Sequence, residues 1–251
     1  MTSDTLRTDG FLGGRLRITQ PAGGYRAGAD AVMLAAACAA RPGESVLELG
    51  CGAGVALLCL GFRVPGLRLT GLELQPAYAN LARANAAANG IAAEILQGDL
   101  VRMPGALRAE SFDHVIANPP YFAAGTVAPD AGRGTARHEE TQLPDWIDAA
   151  LRRIRPGGTV TVIHRAERLG DILQAIGSRA GAITILPVSA RSGREAGRVI
   201  LSARKGARAP LKLLFPFVMH AKPSHTADAE DLTGAARAVL AEGCALDLRG
   251  P

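Results

Sequence analysis

No stretch of this chain is long and apolar enough to cross a bilayer. The longest apolar run, Ala31 to Ala40, has half of the ~20 residues a membrane helix needs. The N-terminus, Met1-Thr2-Ser3-Asp4, lacks the basic segment and apolar stretch of a secretory signal, so residence in the cytoplasm is expected. Cysteine is scarce: Cys38, Cys51, Cys59 and Cys244 lie far apart, with no Cys-x-x-Cys pair and no matching histidine spacing. Neither a disulfide framework nor a structural zinc site is expected from that pattern. His138-Glu139-Glu140 carries metal-ligand residue types, but neighbouring side chains point in different directions; a solvated loop and no bound metal are expected. Internal repeats, low-complexity tracts and long linkers are also missing.

What remains is a globular composition. Of 251 residues, 48% are hydrophobic and 20% charged, enough for one α/β domain with a full core. The net charge of +5 is unevenly spread. Residues 1–130 carry 10 Lys and Arg against 11 Asp and Glu, residues 131–222 carry 16 against 7, and the tail carries 2 against 5. A basic stretch of that kind suits a surface that faces phosphates.

Strand and helix patterns alternate from about residue 44 to 205, the signature of a doubly wound, mostly parallel sheet. Strands are expected at Ser45–Leu49, Leu67–Glu73, Ala93–Gln97, Phe112–Ala117 and Thr159–His164. Helices are expected at Val55–Phe62, from Pro76 to Gly90, at Asp145–Ile154 and near Ala166–Ser178. Ala182–Pro187 and Arg198–Ala203 alternate like an antiparallel hairpin, joined by Ser189–Gly197. Residues 1–43 read as a short strand or hairpin plus a helix capped by Asp30 and running to Ala40. Residues 44–205 form the core, and 206–251 a C-terminal extension with a strand at Leu211–Val218 and a helix at Ala229–Ala241. All three belong to a single domain on this reading.

Glu48-x-Gly50-x-Gly52-x-Gly54 joins the first core strand to a helix. Glycines there allow a sharp turn and let a ligand approach the backbone closely. Glu73 ends the next strand, where a carboxylate can accept from both ribose hydroxyls of an adenosine cofactor. Gly98-Asp99-Leu100 ends the third, where an acid can accept from an adenine amino group. A Gly-x-Gly-x-Gly pattern with Glu48 before it favours S-adenosylmethionine over a dinucleotide. Leu74 and Asn118 complete the cofactor residues expected from the motifs. Cys51 contributes backbone, since no histidine is in register to activate it.

Asn118-Pro119-Pro120-Tyr121 follows the fourth core strand. Each proline holds the residue before it extended and offers no N–H to close a turn. The stiff loop can aim the Asn118 side-chain oxygen and the Pro119 carbonyl at one point, and a planar –NH2 group needs two such acceptors. Tyr121, with Phe122, offers an aromatic surface to a base. An adenine amine is a weak nucleophile because its lone pair is delocalised; two N–H···O bonds and in-line alignment favour its attack on a methyl group.

These residues resemble the motifs of the Rossmann-fold amino-methyltransferases over roughly residues 44–205. The segment from Gly24 through Tyr25-Arg26-Ala27-Gly28-Ala29-Asp30 to Ala35, with Arg133–His138 and Gly197–Lys205, resembles the bacterial tRNA adenine methyltransferases that modify the anticodon-adjacent adenine of a valine tRNA. That resemblance implies a seven-stranded sheet with its last strand antiparallel, the tetrad as amine site, and Asp30 near the cofactor or the catalytic loop. RNA, with tRNA foremost, is the expected partner, and Arg133, Arg137, Arg191, Arg194 and Arg198 are candidate phosphate contacts. The alternatives are a release-factor glutamine amide, a ribosomal guanine or a DNA adenine. Further away stand a non-catalytic adenosine-binding or RNA-chaperone module and a nicotinamide-dependent oxidoreductase.

Overall fold

The computed structural model describes residues 5–121, 141–222 and 231–248. An antiparallel hairpin comes first, β1 (Leu6–Phe11) and β2 (Leu16–Pro21), followed by α1 (Ala29–Ala37). Then come β3 (Ser45–Leu49), α2 (Val55–Arg63), β4 (Arg68–Glu73), α3 (Pro76–Ala88), β5 (Ala93–Gln97), α4 (Gly105–Ala109) and β6 (Phe112–Ala117). The second half holds α5 (Leu143–Arg153), β7 (Ile154–Arg165), α6 (Leu169–Ile176), β8 (Ala180–Arg191) and β9 (Ala196–Lys205). The short strands β10 (Lys212–Leu213) and β11 (Phe217–His220) and helix α7 (Gly234–Leu240) follow.

β3 to β11 form one nine-stranded sheet in the order β10-β8-β9-β7-β6-β3-β4-β5, with β11 also on β8. β9 runs antiparallel to β7 and β8, and the other pairings are parallel. The expected seven-stranded, mostly parallel sheet with an antiparallel C-terminal hairpin is therefore present, and β10 and β11 extend it at the β8 edge. Helices cover both faces. Leu34 of α1, Leu57 and Leu60 of α2 and Val239 of α7 pack on one side. Leu107, Ile147, Leu151 and Ile176 pack on the other. A strand covered on both faces has no reason to alternate, which explains why β3 is buried at every position. Strand order reverses between β3 and β6, and such a switch point opens a crevice at the carboxyl ends of both strands.

Several boundaries differ from expectation for identifiable reasons. Asp30 does not cap α1: Gly28 is the N-cap, and Asp30 lies in the first turn. The helix stops at Ala37, where Arg63 donates to the carbonyls of Ala35 and Cys38. β7 starts at Ile154 and takes in Pro156-Gly157-Gly158, where its register against β6 shifts. The hairpin strands run longer than expected, leaving residues 192–195 as the turn. Leu211–Val218 splits into two short strands around Pro216, which has no N–H for the ladder. α7 starts at Gly234, where Thr233 Oγ1 accepts from the Ala236 amide, while Asp231 is held by Arg191 and His220. Among the described residues, no helix is long and apolar enough to cross a membrane, and no three His, Cys, Asp or Glu gather as metal ligands. His138, Glu139 and Glu140 lie outside the described residues.

Candidate active site

The glycine loop turns at the end of β3. Gly50 has a φ of +64°, and Gly54, at +89°, is the N-cap of α2. Glu48 is 3% exposed, and its Oε2 accepts from the Leu57 amide at 2.8 Å, closing an otherwise open donor in the first turn of α2. Burial, then the nearby Glu73 charge, push its carboxyl well above the usual range, against the Leu57 bond. Glu73 ends β4 and cross-braces the loop: Oε2 accepts from Gly52 N–H at 2.9 Å and Oε1 from Gln75 N–H at 2.8 Å. Burial and these two glutamates raise the Cys51 thiol far above its ordinary value, so Cys51 is no nucleophile here. Buried Asn85 of α3 accepts from Thr19 N–H and donates to the carbonyls of Thr19 and Ala53, fastening the loop to the N-terminal hairpin.

Gly50, Leu74, Gly98, Asp99 and Leu100 line one recess with Trp146 of α5. Asp99 Oδ1 accepts from Val101 N–H at 2.8 Å, which fixes the carboxylate at the rim. Trp146 is 4% exposed, and its indole N–H has no hydrogen-bond partner among the described residues. Five expected cofactor residues thus gather with Trp146, a buried residue of α5.

Asn118 leaves β6, the strand beside β3, so the tetrad stands next to the glycine loop. Tyr121 Oη donates to Asp30 Oδ2 at 2.6 Å and lies 3.0 Å from Asn118 Oδ1. Arg198 of β9 donates from Nε to the same Asp30 oxygen at 2.9 Å, and its guanidinium sits 4.6 Å from the Tyr121 ring centre. Arg165 is 5.9 Å from that centre, and the His164 ring meets it edge-on at 5.1 Å. Burial and the Asp30 carboxylate push the Tyr121 hydroxyl well up. His164 is 0% exposed. Burial, then Arg168, lower its pKa to about 4, so the ring is neutral. Its Nδ1 accepts from Arg165 N–H at 2.9 Å, which leaves the proton on Nε2. Nε2 lacks a hydrogen-bond partner among the described residues, although the Pro120 carbonyl faces the ring.

Tyr25 reaches over the same place from the segment before α1. It is 57% exposed. Desolvation of its hydroxyl, with Glu48, Asp30, Tyr78 and Glu73 nearby, pushes that group up to about 12. Asn118 Nδ2 donates to Tyr25 Oη at 3.3 Å, and the Tyr25 carbonyl accepts from Tyr78.

The candidate RNA contacts divide. Arg198 stands inside the site, against Asp30 and Tyr121. Arg191 pairs with Asp231 at 2.8 Å and also donates to the Lys222 carbonyl. Arg194 is exposed in the β8–β9 turn. Phe122, Arg133 and Arg137 lie outside the described residues. Sequence reasoning missed Tyr25 as a neighbour of Asn118, although it lies in the Gly24–Ala35 segment that carried the resemblance. Asn85 gave no signal, being one polar residue inside a helix.

This strand order, with a glycine turn beside an Asn-Pro-Pro-Tyr loop at the switch point, is that of a Rossmann-like methyltransferase. Residues 28–175 match the methyltransferase small domain, and the chain belongs to that family. A tRNA1(Val) (adenine(37)-N6)-methyltransferase from Porphyromonas gingivalis is 35% identical over 176 residues, 66% of this chain and 69% of that one. One of the same name from Dickeya chrysanthemi is 30% identical over 214 residues, 83% and 84% of the two chains. A solved structure from Agrobacterium tumefaciens, described as a predicted O-methyltransferase, has a TM-score of 0.69 and 29% identity, covering 86% of this chain and 98% of that one. The chain is an S-adenosylmethionine-dependent methyltransferase.

Proposed function

We propose that the chain transfers a methyl group from S-adenosylmethionine to the exocyclic amine of an adenine in tRNA, and that its target is adenine 37 of a valine tRNA, as named for the relatives above. The observation that carries the reading is Asn118, leaving β6 beside the glycine loop of β3 with Tyr121 locked next to it.

The cofactor residues fit by their chemistry. The recess beside Asp99 offers an unpartnered indole N–H and a Gly50 whose missing side chain leaves no bulk in the way. When bound, S-adenosylmethionine supplies an electrophilic methyl group. Glu73, which braces Gly52 and Gln75 at the end of β4, would accept from the ribose hydroxyls. Asp99 accepts from the cofactor's adenine amine. Asn118 Oδ1 and the Pro119 carbonyl accept the two N–H groups of the substrate amine, and Tyr121 packs against its base. A base splayed from a tRNA loop reaches such a site at little unstacking cost. The positive excess of residues 131–222 supports a phosphate-bearing partner, and a tRNA substrate supports a cytoplasmic site of action.

The acceptor pair also separates this reading from transfer to oxygen, named for the Agrobacterium protein. A hydroxyl has one proton to offer, and the pair is matched to two. The names of the curated relatives favour tRNA adenine over a release-factor glutamine.

The test is nucleoside mass spectrometry on unmodified tRNA incubated with the chain and S-adenosylmethionine. N6-methyladenosine should appear with the parent chain and be absent with Asn118→Ala, while cofactor binding stays within about twofold. Equal product from the variant would remove Asn118 from the chemistry.

A further inference from the structure

We infer that Asp30 orients the catalytic carboxamide by taking the single proton of the Tyr121 phenol; the inference rests on the reading of Asn118 as acceptor of the substrate amine.

Tyr121 Oη lies 2.6 Å from Asp30 Oδ2 and 3.0 Å from Asn118 Oδ1. A phenol has one proton and cannot donate fully to both. Asp30 takes it, because the contact is shorter and the acceptor is the oxygen of a carboxylate ion-paired with Arg198. Tyr121 Oη and Asn118 Oδ1 then face one another as two acceptors with no proton between them. Turning the carboxamide by half a rotation removes the conflict, since amide oxygen and nitrogen have the same shape. Nδ2 then donates to Tyr121 Oη. Oδ1 takes the position 3.3 Å from Tyr25 Oη and accepts its proton, which the Tyr25 hydroxyl retains with a pKa of about 12.

In this arrangement Oδ1 faces an exposed residue and not Tyr121. The Tyr25 O–H stands where an N–H of the substrate amine would, and gives way to it. Asp30 thereby changes Tyr121 from a competitor for Oδ1 into the support of Nδ2. It acts through Tyr121 and is a positioning residue. The expected place of Asp30 among the cofactor residues gives way to this one, because its carboxylate faces Tyr121 and Arg198. No covalent bond changes in the relay, and the proton stays between Tyr121 and Asp30.

Without Asp30, the phenol proton goes to Asn118 Oδ1 and competes with the substrate. The experiment compares the parent chain, Asp30→Ala, Tyr121→Phe and the double variant, reading kcat and KM on tRNA and cofactor Kd by calorimetry. Asp30→Ala should lower kcat on the order of 10- to 100-fold, the scale of a misoriented catalytic group, with KM and cofactor Kd nearly unchanged. Tyr121→Phe should cost less, and adding it to Asp30→Ala should restore kcat to the level of Tyr121→Phe alone, since no phenol proton remains. Mere structural damage would not be repaired by a second lesion. Asp30→Asn, whose oxygen still accepts the proton, should keep more activity than Asp30→Ala and serves where the latter folds poorly. A double variant slower than both singles, or a cofactor Kd that weakens in step with kcat, would overturn the inference. Failure of the underlying reading looks different: Asn118→Ala would itself remain active.

Discussion

Trp146 lies directly beneath Gly50, so close that a Cβ built on Gly50 would stand 2.4 Å from its Cη2 and 2.8 Å from its Cζ3. Gly50 also has a φ of +64°, which a side chain resists. Gly50→Ala should therefore cost about 1–3 kcal/mol through overpacking, with roughly 1–2 more from the left-handed backbone. Because α5 and the cofactor recess share this contact, cofactor affinity should fall as well. Urea denaturation and calorimetric titration read the two effects. An unchanged unfolding midpoint would mean that the indole can move aside.

Glu73 holds Gly52 with one carboxylate oxygen and Gln75 with the other. A glutamine there keeps one acceptor oxygen and puts an NH2 group against a backbone N–H. Glu73→Gln should weaken cofactor binding by roughly tenfold or more while leaving the fold intact, since hydrogen bonds to a charged acceptor contribute about 1.5–3 kcal/mol. Isothermal titration with S-adenosylhomocysteine checks this without turnover. Unchanged affinity would place the ribose elsewhere.

Arg191 and Arg194, equivalent in the sequence, are expected to behave differently. Arg191 is committed to Asp231 and the Lys222 carbonyl, and Asp231 also holds His220. Arg191→Ala should lower the melting temperature and leave the salt dependence of tRNA binding as it was. Arg194→Ala should leave melting alone and, if its turn faces phosphate, reduce the slope of log K against log salt by about one contact. The reverse result would exchange the two assignments.

Legibility followed sequence distance. Glu48, Gly50, Glu73, Asp99 and Asn118 stood out because each ends a strand, where glycine, proline or an acid interrupts an apolar run. Tyr25, Arg198 and His164 meet Asn118 and Tyr121 from segments as much as 173 residues apart, and no local pattern announces such a meeting. Trp146 is buried in the core, and its fit under Gly50 depends on how α5 lies on the sheet. Beyond Lys205 the pattern was faint because a two-residue strand has no period and Pro216 interrupts the run.

His164 should make the protein acid-sensitive in a definable window. Its ordinary value is 6.5, and burial lowers it to about 4. Between those values the unfolded chain binds a proton that the folded one refuses, so folding stability rises with pH through the window and this contribution is complete above 6.5. At about 1.4 kcal/mol per unit, the loss on going from pH 6.5 to 4 is on the order of 3 kcal/mol. Asp113 and Glu44 shift the other way. Burial works against ionisation of both, but the Ser45 bonds and Arg155 outweigh it for Asp113, and the His114 bond outweighs it for Glu44. Their stabilisation is present above 3.8 and 4.5 and fades only below those values, so pH 5 isolates the histidine. Glu48, raised by burial, gains stability as pH falls, but it does so equally in any variant at position 164. Unfolding free energies at pH 5 and 7.5 for the parent chain and His164→Gln provide the measurement. The parent should lose more stability than the variant on acidification. Equal losses would assign the acid sensitivity to other groups and leave the buried imidazole with no part in it.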